Sequence, residues 1–309
     1  MGASRHSSAG LAASLTWNSS RQAYWTIRLL VDRDRVGDAF RAYGYFRWVD
    51  DLLDLGLPES SDRLAFLRRQ TTLIESFYDG ASMRCSCPEE QIIADLIARN
   101  PDRTNELGSY VANMMEVMRF DASRRGRIIT QSELDNYTHA LAVGVTDALH
   151  WFIGHRCPPS PSPVRYQAAA AAHIVHMLRD ALDDLRQGYV NIPVETLARG
   201  GIGPADFESS AYRNWVRDRI ETARRFFAMG DSYLANLEST RCRLAGYAYQ
   251  ERFLWILQAI EAADYVLQTD YRMPAIGLRG QSVLARAIRP RFLSPHPAAG
   301  LQPGPSAFQ

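Results

Sequence analysis

The sequence predicts an all-α fold in one domain, and three observations carry that prediction. Apolar residues recur at helical spacing along nearly the whole chain. No run alternates apolar and polar residues as a half-buried strand would, and no Asn-Gly turn joins two such runs. Gly and Pro punctuate the periodic stretches.

Taken in order, residues 1–15 are Ser/Ala-rich and read as a flexible start. A helix is expected around 20–30, and a stronger one from 34 to about 55, stopped by Gly56 and Pro58. Leu64, Leu67, Ile74 and Phe77 mark a helix over 60–79, ended by Gly80. Pro88 opens a short helix that Pro101 closes. Longer helices follow over about 104–120 and 132–154. The Pro-rich stretch 158–163 is a breaker and reads as a loop. A long helix over 165–187 ends at Gly188, a short turn follows Pro193, and two final helices cover about 208–236 and 240–268. Patterning is alike on both sides of the Pro-rich loop, so one helical domain over 16–289 is expected, with a crossover there. The Pro/Gly/Ala-rich tail, 290–309, reads as flexible.

Composition narrows the function. With 46% hydrophobic and 22% charged residues, a chain of 309 residues can bury a large core. A formal net charge of +1 gives no overall field for nucleic acid. The chain has no Lys, which excludes Schiff-base catalysis. Every basic side chain counted is an Arg, a planar fork suited to carboxylate or phosphate. Four Cys make no disulfide scaffold, and no second Cys pair or spaced His pair completes a zinc site around Cys85 and Cys87. The N-terminus lacks a signal-type apolar stretch. The longest apolar run, about 141–154, is broken by Asp147 and His150, so no transmembrane segment is expected. The chain reads as soluble and cytoplasmic; contact with a membrane surface stays open if the substrate is greasy. No G-x-S-x-G occurs, and the Gly-rich stretch at Gly200, Gly201 and Gly203 lacks the strand and Lys of a phosphate cradle.

Two acidic stretches carry the chemistry. In Arg47-Trp48-Val49-Asp50-Asp51-Leu52-Leu53-Asp54, Asp50 and Asp54 share a helix face with Arg47 one turn earlier. In Arg179-Asp180-Ala181-Leu182-Asp183-Asp184, Asp180 and Asp184 repeat the spacing behind Arg179. Like charges at i, i+4 amid apolar neighbours destabilise a helix unless a cation neutralises them. Mg²⁺ does so with a few carboxylates and completes its shell with water and substrate phosphate. Two such helices facing each other would bind a diphosphate through Mg²⁺, with Arg47 and Arg179 as bidentate partners.

These stretches resemble the two aspartate motifs of the squalene/phytoene synthase family. The second runs on through Leu185-Arg186-Gln187-Gly188-Tyr189-Val190-Asn191-Ile192-Pro193, and the similarity extends from about Trp17 to about Tyr271. The resemblance implies an isoprenoid-synthase-type bundle with a central cavity, Mg²⁺, an isoprenyl diphosphate substrate and a carbocation route to a new C–C bond. It implies Asp50, Asp54, Asp180 and Asp184 as metal ligands, and Arg47 and Arg179 as diphosphate-binding and catalytic. Tyr137 falls where the family has a Tyr near the reacting carbons, and Tyr265 is a similar match toward the diphosphate.

The departures are informative too. His176 stands where the family has an Asn that completes the metal set, which makes it a candidate ligand. His173 replaces a Gln a turn earlier. Tyr189 and Asn191 stand where basic and aromatic residues are usual. Ser20 replaces a His that begins an N-terminal phosphate-binding turn, which makes Ser20 and Arg21 diphosphate candidates. Val143 and Thr146 replace small residues. Many of these positions help hold a second diphosphate in the resembling enzymes.

The leading expectation is therefore a Mg²⁺-dependent prenyltransferase that ionises one allylic diphosphate and delivers the cation to a small aromatic acceptor of indole or carbazole type. Trp25, Tyr43, Tyr45, Phe46, Trp48 and Trp151 would line the cavity. The alternative is head-to-head condensation of two isoprenyl diphosphates. Cyclisation of a single chain, and a helical scaffold without activity, complete the set.

Overall fold

The computed structural model describes residues 7–57, 59–81, 83–154, 162–271 and residues 283, 286 and 287. Eleven α-helices and no β-strand lie among the described residues. They are α1 Ser8–Ser19, α2 Arg21–Leu30, α3 Val36–Asp51, α4 Ser60–Tyr78, α5 Pro88–Arg99, α6 Glu106–Arg124, α7 Gln131–Ile153, α8 Gln167–Arg186, α9 Val194–Gly200, α10 Ser210–Asn236 and α11 Thr240–Ala262. A π-helical turn, Leu52–Gly56, follows α3, and a 3-10 turn, Pro163–Tyr166, leads into α8.

The expected all-α bundle is what the chain forms. Side-chain caps start many of the helices: Ser20 Oγ accepts from the Ala23 N–H (3.1 Å) at α2, and Thr130 with Glu133 makes a reciprocal capping box at α7. One core joins α1, α3, α4, α5, α6 and part of α7; a second joins α8, α10 and α11. α7 packs against both α6 and α8 and so ties the two together.

Three expectations are corrected. The Ser/Ala-rich start is ordered from Ser8: α1 packs on α3 and α5, with Ala12 and Thr16 buried. The close approach depends on Gly44, where an added Cβ would lie 2.9 Å from Ala12 backbone atoms. Small residues read as loose by composition are here the means of tight packing. The helix expected to reach residue 55 leaves α-geometry after Asp51, where the Leu52 N–H goes to the Trp48 and Val49 carbonyls. The last helix ends at Ala262 rather than 268, because Asp264 (φ 50°) and Tyr265 (φ 62°) turn left-handed and the Tyr265 N–H closes onto Ile260 O at 3.0 Å. Residues 1–6, Pro58, Cys157, most of the Pro-rich loop and the tail 290–309 lie outside the described residues.

Gly188 (φ 90°) ends α8 and reverses the chain. The following segment runs beside residues 126–129: the Gly126 N–H donates to Gly188 O (2.8 Å), and Ile128 pairs with Val190 in a parallel bridge. Tyr189 and Asn191 are thereby inserted between the ends of α6 and α8.

Candidate active site

α3 and its π turn present the first carboxylates. Arg47 donates from Nη1 to Asp50 Oδ2 (2.9 Å) and also pairs with Asp51. Burial, together with the neighbouring Asp54, pushes the Asp50 carboxyl up to about 7. Asp54 is raised by burial and by Asp121 of α6, and it accepts the Tyr189 hydroxyl at 3.3 Å. Two carboxylates on one helix therefore oppose each other's ionisation, with an acid from a second helix adding to the repulsion.

α8 presents the second set. Arg179 Nε and Nη2 each donate to Asp180 at 2.5 Å, and His176 Nε2 donates to Asp180 Oδ2 at 2.9 Å. Burial opposes ionisation of Asp180, but these bonds outweigh it and hold the carboxyl well below the usual carboxylate range. Burial pushes Asp184 up to about 6 despite the Asn191 amide, which donates to its Oδ2 at 2.6 Å.

A polar bridge connects the sets. Arg124 donates from Nε to Asp121 Oδ1 (2.7 Å) and from Nη1 to Asn191 Oδ1 (2.8 Å). Its guanidinium lies 4.7 Å from the Tyr189 ring centre and 5.2 Å from that of Tyr137. Tyr137 donates its hydroxyl to Asp121 Oδ2 (2.9 Å); burial and that carboxylate push its pKa well above the ordinary tyrosine value, so it stays a phenol. The two motifs thus belong to one interior network rather than to separate solvated flanks.

Among the described residues no three His, Cys, Asp or Glu side chains converge on one point. Asp50, Asp54 and Asp184, whose ionised forms burial disfavours without a cation, are the kind of carboxylate Mg²⁺ uses, since it takes one or two protein carboxylates and leaves the rest of its shell to phosphate and water. These carboxylates fit.

Beside this network lies a cavity of about 360 Å³, between α2, α3, α6, α7 and α11. Its wall is mainly apolar, including Ile27, Ala42, Met114, Val145 and Phe152. Ser20, Gln22, Tyr43, Tyr249 and Arg252 supply its polar groups.

Several expected residues are elsewhere. Arg21 does not line the cavity; its guanidinium sits 3.4 Å over the Trp17 ring. Ser20 does line it. Tyr265, past the end of α11, lies 4.7 Å from the Arg217 guanidinium and packs with the α8/α10/α11 core. Of the aromatics expected around the cavity, only Tyr43 lines it. Tyr45 and Phe46 are core, Trp48 packs on Phe66, Trp151 lies 4.6 Å from the Arg35 guanidinium, and Trp25 is half exposed. Val143 is buried away from the cavity lining, and Thr146 borders a smaller void. His173 is buried, as a core histidine would be, yet among the described residues both ring nitrogens lack a hydrogen-bond partner; burial and the nearby His176 hold it neutral, edge-on to Tyr137 at 4.8 Å.

Sequence reasoning missed Asp121, Arg124, Gln22 and Arg252. A signal existed for Asp121: it continues the apolar face of Met114, Val117 and Met118 at i+3/i+4 spacing, where an acid is out of place.

A model of the squalene/phytoene synthase family matches residues 17–277. A chloroplastic phytoene synthase of Cucumis melo is 26% identical over 248 residues, covering 77% of this chain and 56% of its own length. Chloroplastic phytoene synthase 1 of Zea mays is 30% identical over 270 residues, covering 84% and 62%. The chain thus spans somewhat over half the length of these relatives. Among solved structures, squalene synthase HpnC of Alicyclobacillus acidocaldarius superposes with a TM-score of 0.68 at 17% identity, over 84% of this chain and 95% of that one. A dehydrosqualene synthase in complex with ligand gives 0.68 at 15% identity, over 91% and 95%. At these identities the likeness establishes the fold.

Proposed function

The chain belongs to the squalene/phytoene synthase family, and from that premise we propose that it is a Mg²⁺-dependent prenyltransferase condensing two isoprenyl diphosphates head to head. The observation that carries the reading is the interior network joining both aspartate motifs beside an apolar cavity. The relatives are phytoene synthases, which favours this reaction over transfer to an aromatic acceptor.

Two details of the site also displace the aromatic-acceptor expectation. It leaned on departures at Tyr189 and Asn191, yet both bond to motif carboxylates and leave no gap. Of the aromatics put forward for the cavity lining Tyr43 alone is there, though Tyr110, Phe152 and Tyr249 also line the wall.

In the proposed reaction Asp50, Asp54, Asp180 and Asp184 would hold Mg²⁺, which would stabilise the charge developing on the departing diphosphate. Arg47 and Arg179 turn from their carboxylates to diphosphate oxygens as bidentate donors. His176 orients Asp180 through its Nε2 bond rather than ligating metal itself. Tyr137, held as a phenol by Asp121, donates toward the reacting end of the chain. The apolar wall excludes the water that would quench a carbocation.

The test is incubation with Mg²⁺ and farnesyl or geranylgeranyl diphosphate alone. A C30 or C40 hydrocarbon, or a cyclopropyl diphosphate, is expected. Prenylation of an added indole or carbazole, with no self-condensation, would reverse the choice. A cyclised single chain would reject both readings.

A further inference from the structure

α2 is apolar on two sides. Ala23 and Ile27 face the cavity, while Trp25 and Leu29 stand exposed on the outside. At 100° per residue, Arg21, Trp25, Arg28 and Leu29 fall within an arc of about 100°, and all four are exposed. Trp25 does not stand alone there: its ring lies 5.5 Å from that of Tyr24 and 6.2 Å from that of Trp17, centre to centre. A helix that covers a cavity with one apolar face and turns a second one outward gains from cover on that side as well.

The charge around the outer face has one dominant sign. α2 carries Arg21 and Arg28 and no acid. Arg33 adds a third exposed cation in the turn that follows. Of the two acids between residues 17 and 34, Asp32 is paired with Arg241, which leaves Asp34 against three arginines. Among the described residues no carboxylate pairs with Arg21, Arg28 or Arg33.

Trp and Leu set among arginines suit a lipid headgroup layer. The apolar side chains enter the acyl boundary, the amphipathic indole sits at headgroup level, and the guanidinium groups meet lipid phosphates. A second copy of the chain is a poorer cover. A two-fold contact through this patch sets the same arginines against one another. A ten-residue helix, about 15 Å long, also offers far less than the roughly 800 Å² per partner of a stable dimer.

We propose that the outer face of α2, with Arg21, Trp25, Arg28, Leu29 and Arg33, is a docking surface for an anionic lipid bilayer. Because the inner face of the same helix is cavity wall, docking sets the cavity one helix away from the acyl chains. Under the reading above, a hydrocarbon product then leaves into lipid rather than water. The lipid contact itself needs neither substrate nor Mg²⁺, so its test stands apart from turnover.

The experiment is flotation of the full chain with vesicles, free of substrate and Mg²⁺. Vesicles of phosphatidylcholine with about one third phosphatidylglycerol are expected to carry the protein, and pure phosphatidylcholine about tenfold less, with binding falling as salt rises. Arg28→Glu and Leu29→Asp should each weaken partitioning about tenfold. Both side chains are exposed, so melting should stay unchanged. Met229→Asp places the same charge at an exposed apolar position of α10 and should leave binding as it is. An equal loss in Met229→Asp would overturn the surface. So would no binding by the wild type, equal binding to both kinds of vesicle, or a dimer in solution that Leu29→Asp dissolves.

Discussion

The two aspartate motifs share a spacing and differ in nearly everything that spacing does not encode. On α8 the helix is regular, and Asp180 receives donors from both Arg179 and His176, which settle its charge inside the protein. On α3 the helix widens into a π turn at Leu52, Arg47 divides itself between Asp50 and Asp51, and Asp54 accepts the Tyr189 hydroxyl. Asp180 is matched inside the protein, whereas Asp184, like Asp50 and Asp54 of the first motif, is left in want of a cation. A repeated sequence pattern therefore need not mean two equivalent half-sites.

The largest expected effect treats the motifs alike. Asp50→Asn and Asp180→Asn should each lower kcat/KM roughly a thousandfold or more by removing a metal ligand. Survival of activity in both would end the metal assignment.

Metal-free stability should then divide them. Asp50→Asn removes a half-buried charge that its surroundings oppose, so urea denaturation at pH 8 should show a gain of up to about 1 kcal/mol. Asp180→Asn leaves Arg179 and His176 without their carboxylate and should cost about 1–3 kcal/mol. Shifts of the same sign would erase the contrast between the motifs.

The pH profile sharpens the same point. Asp50 and Asp184 are raised in the fold, to about 7 and about 6. Their protonated forms stabilise the native state at low pH, and that contribution is lost as pH climbs through those values. Asp180 is depressed, so its contribution is present above the ordinary carboxylate range and fades only in strong acid. Melting of the metal-free protein should therefore fall between about pH 4 and 7 in the wild type and flatten in an Asp50→Asn, Asp184→Asn double variant.

Addition of Mg²⁺ at pH 8 should raise the wild-type Tm by roughly 2–5 °C and move Asp50→Asn less. The smallest change belongs to His176→Gln. Its partly exposed bond to Asp180 is worth under about 1 kcal/mol, so Tm should barely move.

Much of this molecule is legible one stretch at a time. The helices, their Gly and Pro stops and the paired aspartates all follow from local spacing. What lies beyond local reading depends on contacts between distant segments. Arg124 looks like half of an ordinary i, i+3 pair with Asp121 until Asn191, 67 residues on, reaches its other side. Arg252 looks like a solvated charge on a long helix until α2 is seen to stand across from it. α1 looks loose because Ser and Ala carry little hydrophobicity, and only the meeting with Gly44 shows their use. The π turn is likewise silent in the sequence, since nothing in Leu52-Leu53-Asp54-Leu55 forbids another α-helical turn.

α2 has ten residues, with Ala23, Thr26 and Ile27 toward the cavity while Trp25 and Leu29 stand 50% and 69% exposed on the other side. So short a segment cannot keep its helical shape unaided and must borrow order from what it rests upon. Were the hollow to fill with the hydrocarbon chain of the proposed substrate, that partition would gain a surface to lean on, and loading and sealing would become one event. Amide hydrogen exchange along this segment should slow when a prenyl ligand enters, and exchange indifferent to the ligand would show a wall already rigid by other means.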